Sequence, residues 1–100
     1  MDTNSDAREV AEHALRRLLE LRASLSPSIA DVAAIASEVR VPSGSEFSSQ
    51  ATANKARAEA WLAIRKVVRT LEGNPGSNDL DALWGRALDL TKIWLQAIDG

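Results

Sequence analysis

Apolar residues recur along this chain at helical spacing in four separate stretches. In the first, Ala7, Val10, Ala11, Ala14, Leu15, Leu18, Leu19 and Leu21 fall on one broad arc, with Glu9, His13, Arg16 and Glu20 opposite. Steps of three and four predict an amphipathic helix over residues 5–24. Thr3, Asn4 or Ser5 can cap its start, and Asp6 and Glu9 suit the positive end of a helix dipole. The second stretch runs from Ser26 or Ser28 to about Val41. It carries Ile29, Val32, Ala33, Ile35, Ala36 and Val39 on almost every side, as a helix buried on several faces would. Pro27 suits a first helical position, Ser28 and Asp31 have capping-box spacing, and the residue before Pro42 disfavours helix.

The third stretch, from Glu46 or Ser49 to Glu72, places Ala53, Ala60, Ile64, Val67, Val68 and Leu71 on one face with Trp61 at its edge. Gly73 is a suitable stop. The fourth begins after Ser77 or Asn78 and has the cleanest apolar face: Leu80, Leu83, Trp84, Ala87, Leu88, Thr91, Trp94, Leu95 and Ile98. Nothing alternates with the period of two expected of a strand. Pro and Gly gather only at Pro27, at Pro42 with Gly44, and from Gly73 to Gly76, which mark the breaks. Short connections favour antiparallel neighbours. The expected fold is all-α: an antiparallel up-and-down four-helix bundle with a short second helix, one domain over residues 1–100.

Composition narrows the setting. With 100 residues, 45% apolar and 26% charged, the chain is long enough to bury a core without staples, and its balance is that of a folded domain. The net charge of -2 supplies no global pull toward nucleic acid or anionic membrane. Absence of cysteine excludes disulfides and thiolate metal sites. The polar, acidic start MDTNSDARE is unlike a signal peptide, and no apolar run nears the roughly 18 residues of a membrane span. A cytoplasmic protein without membrane contact is expected. The 17 alanines, and nine arginines against three lysines, point to a GC-rich bacterial source.

Two stretches invite comparison with known chemistry. Ile29-Ala-Asp-Val-Ala-Ala-Ile-Ala36 resembles the first helix of the helix-turn-helix in lac-type repressors, over eight residues. In that family a small residue and a tight turn follow at once, and a groove-reading helix begins within a few residues. Here Ser37 to Val41 can continue the helix, and the break comes only at Pro42-Ser-Gly44. The segment Ser45 to Lys55 would have to read bases, yet it has no arginine and carries Glu46, so no functional residue is carried over. Arg8 and His13 have the Arg-x4-His spacing seen in HEPN-type ribonucleases. On a regular helix two such side chains point about 140° apart. His13, the only histidine, is expected in water beside Glu9 and Arg17.

Other chemistry is thin. No second histidine, no cysteine and no Glu-x-x-His motif suggests a metal site, and no cofactor is expected. Gly73 to Gly76 precedes an acidic helix start that would repel an anion, and the serines of residues 43–49 lack a base to activate them. Enzymatic activity is therefore not expected.

Charge and stray apolar residues suggest binding instead. Between Thr52 and Leu71 stand Lys55, Arg57, Arg65, Lys66 and Arg69 against Glu59 alone. Lys55, Arg65, Lys66 and Arg69 share a stripe that could track phosphates, or could be a solvated face paired with acids of the first or fourth helix. Trp84 and Trp94 fall on the core face of the fourth helix. Trp61, Leu62, Ile93 and Ala97 fall at edges or on polar faces, a surplus of apolar surface that a partner would cover. The expected function is a non-catalytic helical interaction module: an adaptor, an immunity-type inhibitor or a small assembly subunit. Its partner would be another protein or a second copy, binding through Trp61, Leu62, Ile93 and Ala97. The alternative is nucleic-acid binding through Lys55, Arg65, Lys66 and Arg69.

Overall fold

The computed structural model describes residues 3–24, 28–40, 51–74 and 76–99. Four helices follow in chain order: α1 (Thr3–Ala23), α2 (Ile29–Val39), α3 (Ala51–Gly73) and α4 (Leu80–Asp99). Their lengths are 21, 11, 23 and 20 residues, so α2 is the short member. At about 1.5 Å per residue it spans roughly half the length of α3.

Each helix neighbours the next, and α4 returns to α1; α1 with α3, and α2 with α4, are the diagonals. Side-chain contacts give the directions. His13 and Arg17 of α1 meet Glu38 and Asp31 of α2, so rising numbers meet falling ones. Arg57, near the start of α3, reaches the end of α2 at Glu38 and Val39 and lies over Trp94 near the end of α4. Arg22 at the end of α1 pairs with Asp81 at the start of α4, 3.1 Å away. Every neighbouring pair is antiparallel, and the bundle is an up-and-down one measuring 41 × 21 × 20 Å.

The core follows the apolar rows. Ala11, Ala14, Leu18 and Leu21 of α1 are buried, as are Ala53, Ala60, Ile64, Val67 and Leu71 of α3, joined by Ala56 and Ala63. From α4 come Trp84, Ala87, Leu88, Trp94 and Ile98. Thr91, also fully buried, donates its hydroxyl to the Ala87 carbonyl at 2.7 Å, so its polar atom costs little. Among the described residues no buried side-chain nitrogen or oxygen lacks a partner.

Two apolar expectations need correction. Helix α2 is not buried all round: Val32, Ile35, Ala36 and Val39 form one buried row and Ala33 is half-buried, while Ile29, Ala30 and Ala34 are exposed. The large β-branched residues decide the buried side, because alanine loses little by facing water. Leu19 is also exposed rather than buried. It lies about 120° around α1 from the centre of the buried row, beyond the reach of its two neighbours.

The boundaries fit their caps. Ser28 is extended (φ -73°, ψ 127°), and its hydroxyl accepts the Asp31 backbone N–H at 3.4 Å, so the first helical residue of α2 is Ile29. The helix stops at Val39 rather than Val41, with Arg40 leaving helical geometry. The expectations for Pro27, for Glu46 and Ser49 as helix starts, and for the Ser43–Ser49 loop lie outside the described residues. Replacing Ser28 with Ala is expected to lower the folding free energy by about 1 kcal/mol, read as a lower urea midpoint at unchanged m-value.

Candidate protein-docking face

Helix α3 has neighbours on two sides only, so its remaining side faces out. Residues three, four and seven apart stack on one face of a helix. Lys55, Leu62, Lys66 and Arg69 obey that spacing, and Arg65 lies beside them; all five are exposed. Leu62 stands in their midst, 58% exposed. On α1, two cations pair with acids one turn away: Arg8 with Glu12 at 3.1 Å and Arg17 with Glu20 at 2.7 Å. Among the described residues, no carboxylate comes within 4.0 Å of Lys55, Arg65, Lys66 or Arg69. Among the described residues the acids of α1 and α4 form no ion pair with the stripe.

A groove of about 300 Å³ runs between α3 and α4, lined by Glu59, Leu62, Ala63, Lys66, Leu83, Arg86 and Leu90. Leu83 and Leu90 are half-buried and floor it, because they lie at the edge of the α4 core row where α3 meets it. Leu90, Ile93 and Ala97 continue along α4 at steps of three and four, with Ile93 50% exposed and Ala97 half-buried. Over the crest of α3 a shallower depression holds Leu62, Arg65, Lys66 and Arg69. One continuous outer face therefore combines leucines, Ile93 and uncompensated cations.

Trp61 does not belong to that face. Consecutive helical residues point about 100° apart, so Trp61 turns toward α2 while Leu62 faces out. Trp61 is half-buried in a second groove of about 390 Å³ with Ala33, Ala36, Ser37, Arg40, Arg65, Val68, Arg69 and Glu72. The Arg65 guanidinium lies over its ring, 5.1 Å from the centroid. Of the four apolar residues singled out in the sequence, the structure brings Leu62, Ile93 and Ala97 to one side of the α3–α4 pair and leaves Trp61 on the other. It adds Leu83, Leu90 and Arg86, which sequence patterning assigned to the core or passed over.

Arg57, counted with the basic residues of α3, has a structural task. Its Nε donates to the Val39 carbonyl at 2.7 Å and its Nη2 to the Glu38 carbonyl at 3.0 Å, closing the free end of α2. The Trp94 ring lies beneath it at 5.1 Å. Burial lowers its pKa below the ordinary arginine value, a desolvation penalty that the two carbonyls and the ring offset.

The residues of the nuclease comparison lie elsewhere. Arg8 is held by Glu12, and His13, between Glu9 and Arg17 on α1, lies 3.6 Å from Glu38 of α2. Both side chains are about half exposed on the outside of α1. In the helix-turn-helix comparison, α2 continues through Ser37 and Glu38, where that family has its tight turn. The stretch proposed as its reading helix lies mostly outside the described residues. Among the described residues no three His, Cys, Asp or Glu side chains gather as a metal site, and no helix is long and apolar enough to cross a membrane. Family models, curated proteins and solved structures offer no match to this chain.

Proposed function

We propose that this chain is a non-catalytic helical interaction module of a bacterial cytoplasm, an adaptor, immunity-type inhibitor or small assembly subunit that docks another protein through the outer face of α3 and α4. One observation carries the reading. Leu62 and Ile93, 58% and 50% exposed, stand beside a groove floored by Leu83 and Leu90. Single exposed apolar residues are common, but a contiguous row along a groove is the form helix-in-groove interfaces take.

The test is capture with the tagged chain in nuclease-treated lysate, comparing wild type with the double variant Leu62→Glu, Ile93→Glu. Both positions are exposed, so the variant is expected to fold with an unchanged circular dichroism spectrum and a melting midpoint within a few degrees. Loss of a stoichiometric protein from the variant eluate is the expected result. Equal capture by both proteins would remove this face from the interaction.

One observation favours a second reading, nucleic-acid binding. Lys55, Arg65, Lys66 and Arg69 lack carboxylate partners, as a phosphate-tracking stripe requires. Leu62 in their midst argues for protein, because an aliphatic side chain gains nothing from phosphates. The ring of Trp61, covered on one side by Arg65, is poorly placed to stack a base.

A further inference from the structure

Taking the α3–α4 face as the docking surface, we infer that its partner presents an acidic amphipathic helix, with an apolar row seated against Leu62, Leu83, Leu90 and Ile93 and carboxylates over Lys66, Arg86, Arg65 and Arg69. The inference rests on the proposed function and specifies its partner. Charge complementarity carries it. The groove is walled by Lys66 on α3 and Arg86 on α4, and Arg65 and Arg69 extend the positive charge over the crest. Among the described residues none of these four cations has a carboxylate within 4.0 Å.

Three acids lie nearby. Glu59 lines the groove one turn before Ala63, at the end away from Arg69. Asp89 is exposed on α4 between Arg86 and Ile93, and Glu72 lines the α2–α3 groove, whose wall Arg65 and Arg69 share. Lys66, Arg65 and Arg69 lie in the C-terminal half of α3, while the opposite half carries Lys55 with Glu59 and the exposed Ile93. A matching helix would place its carboxylates over the first half and its apolar residues over the second.

The arrangement is costly for the chain alone. Arg65 and Arg69 are four apart, and Lys66 and Arg69 three apart, spacings at which like charges on a helix repel. On α1, Arg8 and Arg17 pair with acids one turn away, Glu12 and Glu20. Leaving Arg65, Lys66 and Arg69 bare next to exposed leucine suits a partner that supplies both the carboxylates and the apolar cover. A groove between two antiparallel helices also accepts a third helix, which anchors through residues at steps of three, four and seven.

The test uses the full chain and two synthetic helical peptides of about 18 residues, roughly 27 Å long. Both carry the same leucine row; one is flanked by Glu and the other by Lys. Fluorescence anisotropy is expected to show the Glu peptide bound at least tenfold more tightly than the Lys peptide, with affinity falling as salt rises. Lys66→Glu with Arg86→Glu should reverse that preference, and Leu62→Glu should weaken binding of the Glu peptide at least tenfold. Equal affinity for the two peptides, or binding of neither, overturns the inference. So does a single-stranded oligonucleotide that binds more tightly than the Glu peptide and ignores Leu62→Glu, which would assign the face to nucleic acid. A dimer in sedimentation that Leu62→Glu dissociates would assign it to a second copy. If the captured protein of the previous section is lost with Leu62→Glu yet is not displaced by the Glu peptide, the partner chemistry falls while the docking face stands. If that protein is captured regardless of Leu62, the function itself falls.

Discussion

Trp94→Ala is expected to remove about 3–5 kcal/mol of folding free energy, the range for truncating a buried aromatic residue. Trp94 is 1% exposed, the largest fully buried side chain of the bundle, and it supports the guanidinium of Arg57. Domains of this size hold about 5–15 kcal/mol in total, so the loss consumes a large share. Each kcal/mol moves the midpoint of a domain this small by about 4–8 °C. Thermal unfolding followed at 222 nm should therefore show a fall of about 12 °C or more, and Trp94→Phe should recover part of it. A fall of only one or two degrees would mean that the space closes without cost and that α4 is not anchored there.

Arg57→Ala is expected to have the second largest effect, confined to one helix. The substitution strands the Val39 and Glu38 carbonyls at the end of α2 and uncovers Trp94. Hydrogen bonds from a charged donor contribute about 1.5–3 kcal/mol. Arg57 is half-buried rather than enclosed, so about 2 kcal/mol for the whole substitution is a reasonable magnitude after solvent screening. Helix α2 has only 11 residues and little stability of its own. Amide hydrogen exchange should therefore accelerate in α2 more than in α1 or α4. Arg57→Lys keeps the charge but not the forked donors that reach both carbonyls, so it should recover little. Uniform acceleration across all four helices would show that Arg57 acts through the core rather than as a cap on α2.

Helix number, order and direction were legible because each stretch carries a row of large apolar residues bounded by Pro, Gly or Ser. Helix α4 shows this best: Trp84, Leu88, Thr91, Trp94 and Ile98 are buried as their spacing predicts. Helix α2 misled because alanine counts as apolar by type yet scarcely differs in energy between core and water. Val32, Ile35 and Val39 alone set its orientation, and Ile29 at its first turn extends beyond the neighbours' cover. Arg57 was unreadable because its carbonyl partners lie 18 and 19 residues earlier in the chain.

The candidate docking face was half legible. Leu62 among cations and Ile93 on a polar face are anomalies of local pattern, visible in any helical projection. Trp61 was grouped with them because it too sits off the main row, although residues 61 and 62 of a helix cannot share a groove. Which groove each enters depends on α2 lying to one side of α3 and α4 to the other, a property of packing. Leu83 belongs to the core row by spacing, and Leu90 falls beside that row. Only the geometry of the α3–α4 contact leaves them half open as a floor. The bareness of Lys66, Arg69 and Arg86 likewise depends on where the acids of the other helices fall.

The most direct measurement is a backbone amide NMR titration of the isotope-labelled chain with the protein it captures. Docking through the α3–α4 face predicts shifts concentrated at Leu62, Ala63, Lys66, Leu83, Arg86, Leu90 and Ile93, with α1 and the α2–α3 groove little changed. Shifts centred instead on Trp61, Ala33 and Arg40, or on α1 around Arg8 and His13, would contradict the proposal and move the functional surface to the opposite side of the bundle.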